Sequence, residues 1–587
     1  MREAFVTAGR VVGPHWRTWL RTAVALQVLT LALAGPVIAL LLRAALSAAG
    51  VPALTEASLG QVLRHPVAVA LLLLLAAVAT AAVLVQHAAF VLLARELAAG
   101  RVPLPRQLLA AGLAASRRLA GPGLVLVALY AFVVAPLGSF TLGATVTRGI
   151  ELPPFIAGEL RKSTAGTVVW LVAGLTVLWL NLRLVFVPTL LLTRPVGPAE
   201  ALAGSWRLTR RRSVPLGAAA LALWGATAVV GGGLVMLAVW LTRVSDILVP
   251  AASQAVAGLA LATVQGALLL WSGLVTALVS TVLVVIATDG TPAPDVPVAP
   301  AQTSDRWWSA VAVIVLLSAA WANGVALSGA GSGRTTAVVA HRGDTYGAVE
   351  NTIESLEAAA ALGADLVELD VLQAQDGGLV VFHDTTLRRL AGESRNVFEM
   401  STAELTATTI RQGGHTSTIP TFAAFAARAA ELDVSLLVEV KSHGREQGDL
   451  LGDVVAVLED NGLVGTALVQ AFDRGSVAEL EARFPQVSSG WVVAFSRGRL
   501  DPGAADFVTM EQSSYTPDLL RQAHTAGVRV LLWTVTDPVR MRSFIREGVD
   551  GLITTYPRRA LEQRAAVLAE TGMADRLEDT LRSLADL

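Results

Sequence analysis

Cysteine is absent from the 587 residues, which excludes disulfides, thiolate metal sites and cysteine nucleophiles together. Lysine is nearly absent. Lys162 and Lys441 are the only two, so 43 of the 45 basic residues are arginine. Charge is scarce too, at 16% against 54% hydrophobic residues, and mean hydropathy is +0.59. So apolar a chain is neither disordered nor an ordinary soluble enzyme, and its length exceeds one compact domain. The net charge of −1 hides an asymmetry: residues 1–334 hold 23 Lys+Arg against 10 Asp+Glu, and residues 335–587 hold 22 against 36. No nucleic-acid partner is expected.

What is present divides at the same point. Crossing a bilayer core takes about 20 apolar residues in a helix, since no water is there to satisfy the backbone. Seven stretches meet that length, at 22–42, 66–94, 121–143, 166–192, 215–241, 257–287 and 308–329. The first follows Arg2, Arg10, Arg17 and Arg21 but is too long for a cleaved signal core, so it reads as a retained anchor. Residues 1–334 are therefore expected to form an integral membrane domain, and 335–587 a soluble one.

Arginines also give the orientation. They cluster at the N-terminus, at Arg95, Arg101, Arg106, Arg117 and Arg118 between spans two and three, and at Arg194, Arg207, Arg210, Arg211 and Arg212 between spans four and five. These segments are assigned to the cytoplasm, and seven crossings then put the soluble part outside it, on the cell membrane. Against this, the loop 288–306 holds only Arg306, and 257–287 is long enough for a re-entrant pair. LAASRRL at 113–119 and LAGSWRL at 202–208 each precede a pair of spans, as does the segment His15–Leu20. The simplest reading is three units, each a basic interfacial helix and a helical hairpin, with the seventh span as a tether; the alternative is a chance likeness of Ala/Leu/Arg-rich helices. Arg183 sits inside span four with no acidic residue deep in any span to pair with it. It contacts a lipid phosphate, or bonds backbone carbonyls, or snorkels to the cytoplasmic face.

After residue 335 short apolar strands alternate with helical segments over about 250 residues, the size and rhythm of a (β/α)8 barrel. Nine strand candidates are present for eight staves, so VVFHD reads as the returning arm of a hairpin on LVELDV. His341, Arg342, Glu368, Asp370, His383, Glu439 and Lys441 fall at strand C-terminal ends, where this fold builds its active sites. Glu368 and Asp370 share a face of one strand and lie among Val and Leu, where uncompensated carboxylates are costly. With Glu439 they make an all-oxygen set suited to one hard divalent cation, Ca²⁺ or Mg²⁺. Two histidines suit proton transfer near neutral pH, and Arg342 and Lys441 suit a phosphate. A lysine at such a position, in a chain that otherwise uses arginine, points to a need for a compact ammonium. His415, His443 and His524 read as surface or loop histidines.

HRGDTYGAVENT, GADLVELDV, DGGLVVFHD, LLVEVK and VLLWTV, in this order and spacing, resemble the glycerophosphodiester phosphodiesterases over most of residues 335–560. The resemblance implies a barrel that hydrolyses glycerophosphodiesters to glycerol 3-phosphate and an alcohol. It implies His341 and His383 as the acid/base pair, Glu368, Asp370 and Glu439 as metal ligands, and Arg342 and Lys441 as phosphate contacts. Glu350 matches the acidic residue of the ENT motif near the metal, and Trp533 a barrel-mouth tryptophan. Val349 and Thr555 depart from the family pattern, which usually has proline and aspartate there. The membrane half resembles, more loosely, a domain fused ahead of some bacterial members. Three functions remain open at this point: a diesterase acting on deacylated lipids or envelope polymers, a phospholipase fed with intact lipids or lysolipids by the spans, and a lipid-handling transporter whose barrel binds headgroups.

Overall fold

The computed structural model describes residues 2–103, 107–108, 110, 164–288, 305–329 and 335–586. The chain forms two compact units, Met1–Ala45 with Pro66–Leu327 and Gly572–Leu587, and Leu46–His65 with Ser328–Thr571. The units are thus not the two continuous segments 1–334 and 335–587. A connection between two spans belongs to the second unit, and the C-terminal helix to the first.

Among the described residues six helices are long and apolar enough to cross a membrane: Trp16–Ala48, Pro66–Ala98, Thr164–Thr193, Ser213–Leu248, Pro250–Ala287 and Ala310–Ser328. Each coincides with an expected span. The remaining one, 121–143, lies outside the described residues, as does LAASRRL. The stretch 257–287 is one continuous helix, Ser253–Ala287, not a re-entrant pair. It is the most enclosed of the six, and small residues bring the last span against it. A Cβ on Gly258 would stand 2.3 Å from the Ala320 carbonyl and 2.8 Å from Gly324 N, so the two backbones touch through glycine, as close helix crossings in lipid require. Elsewhere leucines and valines such as Leu221 and Val229 point outward, as a lipid-facing surface demands. Arg2–Val12 forms a separate helix that buries Ala4, Ala8 and Val12 at four-residue intervals, and Trp16, within the segment His15–Leu20, already opens the first of the long apolar helices.

In the second unit eight parallel strands close on themselves: β1 (Ala337–His341), β2 (Leu366–Gln373), β3 (Ser435–Val440), β4 (Leu468–Ala471), β5 (Ser488–Val493), β6 (Phe507–Glu511), β7 (Arg529–Trp533) and β8 (Gly551–Thr554). β8 pairs with β1 to complete the ring. Leu379–Val381 returns antiparallel on β2, as the extra strand candidate required. Val339, Leu437, Leu468, Phe507, Leu531 and Ile553 fill the barrel interior. Gly490 makes room for one of them, since a Cβ there would meet the Phe507 ring at 2.1 Å. Helices follow the strands with side-chain caps, among them Thr352, Asp473, Thr516 and Asp537, which satisfy amide groups that a helix start leaves unpaired.

The connection between the first two spans adds a small sheet to this unit. Ala53–Thr55 pairs antiparallel with Ser496–Gly498, in the loop that follows β5. Glu56 then accepts hydrogen bonds from the amides of Ala494 (3.3 Å) and Phe495 (3.0 Å), and Arg499 N donates to the Pro52 carbonyl. That loop lies at the C-terminal end of its strand, on the face where the barrel carries its chemistry.

Candidate active site

Strand register assembles the site. His341 on β1 pairs with Glu368 on β2, and Asp370 on β2 pairs with Glu439 on β3. Alternation along β2 sends Glu368 and Asp370 to one face. One oxygen from each of Glu368, Asp370 and Glu439 lies within 4.8 Å of the others, and all three residues are buried.

The turn after β1 wraps this cluster. Arg342 takes a left-handed φ of 60°, so its amide reaches Glu368 Oε2 at 2.9 Å while its guanidinium lies 2.9 Å from Glu350 and 3.2 Å from Asp370. Gly343 follows at φ 82°, where a Cβ would collide with Ser355. Asn351, also left-handed, donates from its side chain to Asp370 Oδ2 at 2.8 Å and accepts from the Asp370 amide. Lys441 Nζ stands 2.5 Å from Glu439 and 3.1 Å from Asp370. His341 Nε2 is 3.9 Å from Glu368 Oε2, and its Nδ1 is buried without a hydrogen-bond partner.

Across the cleft His383 bonds through Nδ1 to Asp384 at 2.6 Å. Arg389 grips the same carboxylate with Nε at 2.7 Å and clamps Glu350 with both terminal nitrogens, at 2.8 and 2.6 Å. Gln412 completes the surroundings of Glu350, donating to its carboxylate and accepting from its amide. A cavity of about 660 Å³ opens here, lined by His383, Asp384, Lys441, His443 and Phe472 among others.

Burial and charge together explain the protonation behaviour. Burial raises the Glu368 carboxyl well above its usual range, and Asp370 and Glu439 push it further. Burial opposes ionisation of Asp370 as well, yet Lys441 and Arg342 overcome it and hold that group low. Glu350 is likewise buried, but Arg389 and Arg342 bring it down to about 2. Burial, then Arg342, pushes His341 well below the ordinary histidine value, so the ring rests neutral. Glu350, Glu368, Asp370, Glu439 and Asp384 face the three cations Arg342, Lys441 and Arg389, an excess of two negative charges when all are ionised. A divalent cation held by the buried all-oxygen cluster would balance it, and hard cations prefer such donors.

Comparison with known proteins gives the family. Residues 9–321 match the membrane domain of glycerophosphoryl diester phosphodiesterase, and residues 341–462 and 485–559 match the glycerophosphoryl diester phosphodiesterase family. The chain belongs to that family. A glycerophosphodiester phosphodiesterase of Caldanaerobacter subterraneus subsp. tengcongensis is 27% identical over 235 residues, 38% of this chain and 95% of that protein. Lysophospholipase D GDPD3 of Mus musculus is 40% identical over 68 residues, covering 12% of this chain and 21% of that protein. Among solved structures, an Oleispira antarctica phosphodiesterase in complex with the product sn-glycerol-3-phosphate aligns at 24% identity and a TM-score of 0.36, covering 39% of this chain and 96% of that one.

Within the family frame, the structure draws together eight of the residues singled out from sequence: His341, Arg342, Glu350, Glu368, Asp370, His383, Glu439 and Lys441. Arg342 and Lys441 rest on carboxylates. Glu350 faces two arginines and a glutamine rather than the carboxylate cluster. Trp533 closes β7, and its indole donates to the Thr509 carbonyl. Val349, the departure from the usual proline, is buried against the apolar cluster of Leu372 and Phe382. Arg183 belongs to the helical unit. Sequence reading missed Asn351 as a clamp on Asp370, and it missed Arg389 and Gln412 altogether. His443 lies in a loop, as expected; its side chain is 9% exposed, stands 3.2 Å from Glu446 and lines the cleft. His415 is exposed as expected, and His524 pairs with Asp550.

Proposed function

We propose that the barrel hydrolyses glycerophosphodiesters to glycerol 3-phosphate and an alcohol at the outer face of the cell membrane, using His341 and His383 as a proton-transfer pair. The carrying observation is the buried Glu368–Asp370–Glu439 cluster beneath a cleft that also holds His383 and Lys441. These three carboxylates would hold one Ca²⁺ or Mg²⁺, which when bound supplies positive charge against a phosphoryl oxygen. Arg342 and Lys441, already at the cluster, would exchange part of their carboxylate contact for the substrate phosphate. One histidine takes a proton from the nucleophile, either water or the substrate's glycerol 2-hydroxyl with water then opening the cyclic phosphate, and the other gives one to the leaving alkoxide. Asn351 and the Asp384–Arg389 pair fix the orientation of Asp370 and His383.

The outer location is supported by two features besides the arginine distribution. Residues 46–65, which connect the first two spans, belong to the barrel's own unit. With the apolar stretch 121–143 counted, six crossings separate that connection from the barrel, an even number, as a shared side requires. The same parity puts the end of helix Ser213–Leu248 on that side. There Asp246 accepts from the amides of Met573 and Ala574 at the start of the C-terminal helix.

The test is product analysis with the purified full chain in lipid nanodiscs. Glycerol 3-phosphate release from glycerophosphocholine is expected. Turnover of lysophosphatidylcholine alone would replace this reading with a lysophospholipase D activity, and no turnover of either would remove it. A reporter fused after Leu587 tests the side. It should be active only outside the cytoplasm, and a cytoplasmic signal would move the substrate pool to cytosolic diesters.

A further inference from the structure

Arg183 is a buried cation that has no carboxylate partner among the described residues. It is 6% exposed, its guanidinium lies 4.3 Å over the Trp206 ring, and Nη1 reaches Ser213 Oγ at 3.3 Å. Its Nε is buried with no hydrogen-bond partner among the described residues. An aromatic face offsets part of a positive charge but does not neutralise it, and an unpaired buried donor is costly.

The backbone around Arg183 is built rather than incidental. The spanning helix breaks after Leu184 and resumes at Val187. Ser205 stitches the break, donating to the Arg183 carbonyl at 2.7 Å and accepting from the Phe186 amide at 3.2 Å. Thr209 adds a second contact to that carbonyl. Both come from helix Pro198–Arg210, whose other face is basic. Trp206 and Ser213, which touch the guanidinium, bracket the run Arg207, Arg210, Arg211 and Arg212. Those four arginines line a cavity of about 450 Å³, and none of them forms an ion pair with a described residue. Trp179 meets Trp206 edge-on, at 5.0 Å between ring centres, and holds the aromatic wall in place.

We infer that this shelf is a phosphate-binding site of the membrane domain, separate from the catalytic barrel, with a lipid headgroup or a free phosphate as its ligand. Clustered guanidinium groups beside a spanning segment favour phosphate oxygens over neutral headgroups. The four arginines line the cavity and supply the attraction, and Arg183, stacked on Trp206 and bonded to Ser213 at the two ends of their run, holds that run in place.

Native mass spectrometry of the detergent-purified full chain tests it, with phosphatidylglycerol or phosphatidylcholine added, each with and without inorganic phosphate. Phosphatidylglycerol should be retained in preference to phosphatidylcholine. Arg207→Gln, Arg210→Gln and Arg211→Gln together should weaken that retention at least about tenfold. All three side chains are exposed, so this variant should fold. Arg183→Gln, checked by its melting behaviour, should lose the most tightly held lipid. Persistence of the lipid in millimolar phosphate assigns the site to headgroups, and its displacement assigns it to free phosphate. Equal retention of both lipids, or of phosphatidylglycerol by the triple variant, overturns the proposal whatever the barrel hydrolyses.

Discussion

Asp384→Asn isolates one hydrogen bond of the cleft. In the native chain Asp384 Oδ1 lies 2.6 Å from His383 Nδ1, with Arg389 holding the carboxylate from the other side. Asparagine keeps the volume and an accepting oxygen but surrenders the charge. A hydrogen bond to a charged group contributes about 1.5–3 kcal/mol and a neutral one about 0.5–1.5. The two side chains are 26% and 23% exposed, so solvent screening puts the difference at the low end, about 1 kcal/mol. At about 1.4 kcal/mol per decade, kcat should fall roughly fivefold. His383→Ala removes the transferring group itself and should cost at least about 10²-fold. The assay is glycerol 3-phosphate release from glycerophosphocholine at saturating substrate, with KM measured alongside. Orientation of a proton-transfer group acts in the transition state, so the loss should fall in kcat while KM stays within about twofold. A wild-type kcat in Asp384→Asn beside an inactive His383→Ala would show that the pairing is idle. A wild-type rate in His383→Ala would remove His383 from the chemistry.

His341→Ala should also lower turnover at least about 10²-fold, read in the same assay. EDTA should abolish activity, and Ca²⁺ or Mg²⁺ should restore it; restoration by Zn²⁺ alone would contradict the all-oxygen ligand set. Glu56→Ala should speed hydrogen exchange at the Ala494 and Phe495 amides roughly threefold or more, because both lose their acceptor. Unchanged protection there would mean that the connection between the first two spans does not hold this loop.

Much of the site was legible because local pattern carried it. LVELDV places two carboxylates on one face among apolar neighbours, and a strand end fixes where they point. VVFHD betrayed its hairpin by overfilling an eight-stave ring. The missing parts are those whose partners are remote or unpatterned. Arg389 is one of 43 arginines and follows Arg388 directly, and nothing local says which of the two turns inward to Glu350. His443 sits in the polar loop where it was expected, with Phe398, at 4.8 Å between ring centres, and Glu446 beside it. Ala53–Thr55 is three residues long and pairs with a loop more than 400 positions away, so no periodicity announces it as a strand.

That short pairing also governs what happens when the barrel is cut free at residue 335. Ser496–Gly498 would lose its partner strand, and the Ala494 and Phe495 amides their acceptor. Such a fragment would carry an unpaired edge, a ready template for joining a second copy. Its dimers or aggregates would then report the severing, not the habits of the membrane-bound enzyme. Joining Leu46–His65 back through a flexible linker should return the fragment to a monomer.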